Sequence, residues 1–281
     1  QIYGEQGNFA AAIEELNAVL RDRPNELRVR DFLGLLYEEM KDYERAIQAY
    51  QANIQVDPTF FDSFLHLGFV SYRLKQNEEA VSYLDQAVKL QPKRPEPYLL
   101  LGLTYFQMKD YQKAKSRLED GIQQNPANAE LHFNLGTTYD KLDRFDAVVQ
   151  EMEQALELDP EHADALNYLG YSYADRGIKA EEAVSLTQRA VALKPHNGYY
   201  VDSLAWALYK VGRIEEALEM IQRAVALVPD DPVIYEHLGE IFLIREEREK
   251  AREAWMHSLQ LDSTNEALKQ RFRETGFGEP I

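Results

Sequence analysis

The run Tyr98-Leu99-Leu100-Leu101-Gly102-Leu103-Thr104-Tyr105, followed by Tyr111-Gln112-Lys113-Ala114-Lys115-Ser116-Arg117-Leu118 and closed by Pro126, carries the reading of the whole chain. Tyr98, Leu101, Gly102 and Tyr105 recur at helical spacing and share one face of a first helix. Ala114 and Leu118, four residues apart, share one face of a second. The small residues Gly102 and Ala114 let the two helices approach closely while leucine and aromatic neighbours fill the remaining space. Pro126 ends the second helix because it cannot continue the hydrogen-bond ladder.

This pattern returns with a fixed period. Prolines stand at Pro24, Pro58, Pro92, Pro126 and Pro160, each 34 residues apart, then at Pro195 after 35 and Pro229 after 34. Gly34, Gly68, Gly102, Gly136, Gly170, Ala205 and Gly239 keep the same time, each preceded by a leucine. A second small or apolar residue follows at Ala46, Ala80, Ala114, Val148, Ala183, Ala217 and Ala251. All registers slip by one residue at the same place, around Gly177-Ile178-Lys179-Ala180, where the spacing predicts a longer turn between the two helices. Asn197-Gly198 is then expected to supply a positive-φ turn at the start of the next unit.

When each unit is numbered from its first residue, Leu falls at position 7, small residues at 8 and 20, an aromatic commonly at 11, a bulky residue commonly at 24 and Pro at 32. This signature resembles the tetratricopeptide repeat (TPR) family, and it covers the chain to about residue 265. The resemblance implies an all-α TPR solenoid, a right-handed superhelix of helix-turn-helix repeats. The repeats are expected at 27–60, 61–94, 95–128, 129–162, 163–197, 198–231 and 232–265, after a partial one at 1–26 in which Tyr3, Gly7, Phe9, Ala12 and Leu16 fit. Residues 266–281 are expected to hold a polar capping helix around Leu268 and Phe272. That cap argues for a natural carboxyl end, whereas Gln1-Ile2-Tyr3, without an initiator Met or signal-like segment, argues for a trimmed amino end.

A solenoid has no central pocket, so function must come from the surface that its first helices line. At ~100° per residue, positions 2, 5, 9 and 12 form a second face beside the core face, and the resemblance makes that face the concave groove. It reads as an aromatic and apolar ladder, Leu35, Phe69, Tyr72, Leu103, Phe106, Phe133, Tyr171, Trp206 and Tyr209, with Phe32 and Tyr168 nearby at position 6. Two readings stand, inter-repeat packing or a groove for an apolar peptide or helix, and Tyr171, Trp206 and Tyr209 are the foremost binding candidates. Chaperone-binding members of the family clamp a terminal carboxylate with Lys at 2 and 5, Asn at 6 and 9 and Arg at 6. Here position 5 reads Asp31, Leu65, Leu99, Phe133, Asn167, Asp202 and Glu236, so binding to chaperone tails is not expected.

The chain carries 31 Lys plus Arg against 48 Asp plus Glu, a net charge of −17, which disfavours nucleic acid and anionic membrane surfaces as partners. Residues 61–128 are nearly neutral at +1, whereas 129–197 and 198–265 carry −7 and −6, either as a solvated outer face or as a docking surface for a basic partner. No apolar stretch is long enough to span a bilayer, so this region is not expected to insert into one.

Zero Cys removes thiolate metal sites and a cysteine nucleophile, and no phosphate loop, dinucleotide fingerprint, nucleophile elbow or zinc motif occurs. The six histidines are dispersed over four of the units and are expected at the surface or in the groove, not around a metal. Glu181-Glu182 and Glu215-Glu216 are read as dipole-complementing pairs at the starts of second helices. No catalytic residue, metal site or cofactor is therefore expected. The reading that results is a non-enzymatic scaffold or adaptor holding a protein or peptide in its groove. The alternatives are a self-assembling, homo-oligomeric scaffold and a regulatory region of a larger protein. The block from Leu166 through Trp206 further resembles bacterial envelope TPR lipoprotein adaptors, which implies a bacterial source and a lean toward the cell envelope or periplasm.

Overall fold

The computed structural model describes residues 9–279, so Tyr3 and Gly7 of the expected first repeat lie outside the described residues. Among these residues the chain forms sixteen α-helices and no strand. It divides into two compact units, Gln1–Glu151 and Met152–Ile281.

The amino-terminal unit holds α1 (Phe9–Asp22), α2 (Leu27–Glu39), α3 (Tyr43–Val56), α4 (Phe61–Arg73), α5 (Asn77–Leu90), α6 (Pro95–Gln107), α7 (Tyr111–Gln124) and α8 (Ala129–Lys141), and the start of α9 (Phe145–Leu158). Helices pack as hairpins, α2 with α3, α4 with α5 and α6 with α7, and each hairpin packs on the next. First helices also touch first helices, α2 with α4, α4 with α6 and α6 with α8, and so lie side by side along one surface.

Small residues make the hairpins possible. A Cβ placed on Gly102 would lie 2.6 Å from Leu118 Cδ2, well inside contact distance, so the close crossing of α6 and α7 requires glycine. Gly34 faces Tyr50 and Gly68 faces Leu84 in the same way, and Ala46, Ala80 and Ala114 are fully buried. Helix starts are capped by Asp42, Asp110 and Asn128, whose side chains accept from the backbone N–H groups of Arg45, Lys113 and Leu131.

The carboxyl-terminal unit holds the rest of α9, then α10 (Ala163–Arg176), α11 (Ala180–Leu193), α12 (Gly198–Lys210), α13 (Ile214–Leu227), α14 (Pro232–Ile244), α15 (Arg248–Leu261) and α16 (Glu266–Glu274). The same hairpin logic joins α10 to α11, α12 to α13 and α14 to α15, and α10, α12 and α14 again run side by side. The last helix buries Leu268 and Phe272 against Trp255 and Leu259, and the Phe277 ring sits edge-on to Phe272 at 5.3 Å.

Two local expectations need correction. The extra residue near Gly177 does not lengthen the inter-helix turn; α10 has 14 residues where α12 and α14 have 13, and the connection remains three residues, 177–179. That connection is reshaped, with Gly177 at φ 66° and Lys179 at φ 46°, both left-handed. Asn197-Gly198 is not a positive-φ turn either: Asn197 has φ −82° and caps α12, accepting from the N–H groups of Tyr199 and Tyr200. Gly198 is buried against Leu227 and Val228, where no side chain fits.

Candidate functional site

In the carboxyl-terminal unit, α10, α12 and α14 each contribute side chains to one cluster. Trp206 on α12 stacks on His237 of α14, with ring centroids 4.1 Å apart, and on Tyr209, 4.9 Å away. Tyr171 of α10 approaches His237 at 6.3 Å, and the Lys210 ammonium lies 4.7 Å from the centre of the Trp206 ring. His237 Nδ1 is 2.8 Å from Asp202 Oδ1.

Three carboxylates, Asp175, Asp202 and Glu236, come from the three neighbouring helices and act on both Tyr171 and His237. Burial, reinforced by these charges, pushes the Tyr171 hydroxyl up to about 12. For His237 burial opposes the charged form, but Asp202, with Glu236 and Asp175, outweighs it and holds the imidazole above its ordinary value. Two buried polar atoms of this face, Trp206 Nε1 and Asn167 Oδ1, have no hydrogen-bond partner among the described residues. Leaving such a group unpaired costs about 1–3 kcal/mol.

Helix α16 supplies the outer edge of the cluster. Asn265 Nδ2 donates to Glu236 Oε2 at 2.9 Å, and Arg271 holds Glu240 with two hydrogen bonds of 3.1 and 3.2 Å. Glu240 is thereby neutralised, whereas Asp175 has no ion-pair partner among the described residues.

The amino-terminal unit repeats the motif in different company. His66 Nε2 lies 3.6 Å from Asp31 Oδ2 and stacks on Tyr50 at 5.1 Å, and Tyr50 donates to Glu38 Oε1 at 2.5 Å. Ser63 Oγ donates to Asp31 Oδ1, and Asn53 donates to both Ser63 and the Leu27 carbonyl. Burial, against the Ser63 hydrogen bond, pushes Asp31 up to about 7. His66 is lowered by burial, so this network disfavours charge where its counterpart gathers it.

Of the eleven groove candidates, Phe32, Leu35, Phe69, Tyr72, Leu103, Phe106, Phe133, Tyr168, Tyr171 and Tyr209 are half-buried. Trp206 is only 9% exposed and is as much a packing residue as a surface one. The structure brings Tyr171, Trp206 and Tyr209 into the cluster through His237, while Phe69 packs on the core around Leu33 and Tyr50, and Phe106 is edge-on to Tyr111 at 5.2 Å.

The expectation of surface or groove histidines is corrected for two of the six, His132 and His162, whereas His237 belongs to the cluster. His132, His162 and His237 are buried: His132 Nδ1 is 2.7 Å from Glu151 Oε2, and His162 caps α10 by accepting from the Ala165 N–H. The Asp-to-His pairs are not evident from the repeat signature. The signal available was an Asp at position 5 with a His 35 residues later, at Asp31 and His66 and again at Asp202 and His237. Among the described residues, no group of three or more His, Asp or Glu side chains converges as a metal site.

Residues 62–274 match the family described as Cilia and flagella-associated protein 70 C-terminal domain, and residues 1–59 match a tetratricopeptide repeat family. The chain belongs to the tetratricopeptide repeat proteins. The solved TPR structures agree in fold. The Cut9–Hcn1 hetero-tetramer of the APC/C aligns at TM-score 0.71 and 14% identity over 94% of this chain, which spans about half (52%) of that one. PilF of Pseudomonas aeruginosa aligns at 0.65 and 16% identity, over 76% of this chain and 97% of that one. YrrB, described as a TPR protein with an unusual peptide-binding site, aligns at 0.53 and 21% identity, over 67% and 96%. No curated protein matches the chain in sequence. The TPR fold is a scaffold for protein–protein interaction, and no helix among the described residues of this TPR protein is long and apolar enough to cross a membrane.

Proposed function

We propose that this chain is a non-enzymatic adaptor that holds a peptide or extended segment of a partner protein against the first helices of its carboxyl-terminal unit. The observation that carries this reading is the Tyr171, Trp206, Tyr209 and His237 cluster, which sets four rings and three carboxylates on adjoining first helices. Such a surface combines large amphipathic contact area with directional polar groups, the composition typical of recognition anchors. Among the described residues, Asp202 and His237 hydrogen-bond to each other and no nucleophile is recorded against the pair.

Site-specific photocrosslinking tests the reading. Tyr199 is 55% exposed, about two turns before Trp206 on α12, and Arg252 is exposed on the second helix α15. A crosslinker at Tyr199 captures the partner and one at Arg252 does not; equal capture at both, or capture only at Arg252, overturns the assignment.

A further inference from the structure

Resting on the reading of this face as a binding surface, we infer that its occupant is a basic peptide segment, with an arginine or lysine side chain seated among Tyr171, Asp175 and Glu236. The electrostatic inventory of the site points there. Three carboxylates face Tyr171 and His237, one from each of three first helices. The cations that answer them are Lys210, whose ammonium lies over Trp206 and 3.5 Å from the Asp175 carbonyl oxygen, and His237, which shares its proton with Asp202. The acidic groups outnumber the cations placed against them. Arg271 is spent on Glu240, and the Asp175 carboxylate remains exposed and without an ion-pair partner among the described residues. Residues 198–265 as a whole carry 7 basic and 13 acidic residues, so the longer-range field also draws a cationic ligand in.

A second observation is independent of charge. Trp206 is 9% exposed, and among the described residues its indole N–H, within the same stack, has no acceptor; Asn167 Oδ1, one turn from Tyr171 on α10, has no donor among them. A peptide main chain carries both complements, a carbonyl for the indole and an N–H for the amide oxygen. Binding that displaces the side chains covering them would pair both atoms and recover the penalty of leaving them unsatisfied. A guanidinium on the Tyr171 ring, flanked by Asp175 and Glu236, also follows the preference of arginine for aromatic faces and carboxylates.

The test uses the full chain and three fluorescein-labelled peptides that alternate leucine with arginine, with glutamine or with glutamate. Binding is read by anisotropy, and occupancy of the cluster by the emission of Trp206, assigned with Trp206→Phe because Trp255 is fully buried. The arginine peptide is expected to bind more tightly than the glutamine peptide and at least about tenfold more tightly than the glutamate peptide. Asp175→Asn combined with Glu236→Gln, which keeps an acceptor for Asn265, is expected to weaken the arginine peptide by roughly fivefold or more and leave the glutamine peptide unchanged. If the glutamine or glutamate peptide binds as tightly as the arginine peptide and perturbs Trp206, the cationic assignment is overturned while the groove reading stands. If none of the three perturbs Trp206, both are overturned.

Discussion

His237 Nδ1 lies 2.8 Å from Asp202 Oδ1 across two neighbouring first helices, and the pair is buried, at 5% and 7% exposure. Because His237 is held above its ordinary value, the pair stabilises the fold fully below pH ~6.5 and loses that contribution as pH rises through the folded-state value. Asp175 and Glu236 face the same imidazole and add to the effect, while burial opposes it. Asp202→Asn should therefore flatten the fall in stability above pH ~6.5. Thermal melts of the two proteins across neutral pH, with the His237 titration followed by NMR, check this, and an unchanged slope in the variant refutes it.

Asp31 gives the opposite design in the amino-terminal unit. Its folded value of about 7 exceeds the ordinary 3.8, so the folded state binds the extra proton between those limits and stability declines as pH rises through them. Asp31→Asn mimics the protonated form and can still accept from Ser63 Oγ. It should raise stability more at pH 8 than at pH 5, by about 1–3 kcal/mol. Denaturant titrations at the two pH values measure this, and equal effects at both would rule it out.

Gly102→Ala tests the hairpin crossing. The added methyl meets Leu118 at 2.6 Å, and overpacking of this kind costs about 1–3 kcal/mol. Leu118→Ala makes room for it, so the double variant should be less destabilised than the two single losses added together. Strict additivity in a double-mutant cycle counts against the contact.

Phe272→Ala addresses the last helix. The ring is fully buried against Trp255 and Leu259, and its removal should cost about 3–5 kcal/mol locally. Hydrogen exchange should accelerate first in α16, before the hairpins of the same unit. Uniform acceleration across the unit would show that α16 is not a separable layer.

The periodic positions made the hairpins legible because helix pairing depends on size and spacing, which the residues state directly: Gly102 opposite Leu118 is visible as small opposite large. The extra residue near Gly177 misled because period alone says that a residue is added, not whether a helix or its turn absorbs it; the left-handed Gly177 and Lys179 settle that locally. Asn197 was legible as a turn-former but not as a cap, since both uses rest on the same side-chain oxygen. The candidate site was half legible. Tyr171, Trp206 and Tyr209 follow from helix phase, whereas the burial of Trp206 depends on His237, contributed by the next first helix 31 residues later.

The crossings of Gly170 with Thr187 and of Gly239 with Trp255 carry a further consequence for how the chain assembles. Similar units in tandem invite a helix to dock on the wrong neighbour, a common failure of repetitive chains. Here each glycine meets a side chain of a different volume: threonine in one hairpin and tryptophan in another of the same unit. Exchanging α11 and α15 between these hairpins would leave a void opposite Gly239 and force an indole into the space that fits Thr187. Size matching within each hairpin therefore disfavours this one exchange, a discrimination that Gly68 and Gly102, which both face a leucine, do not have.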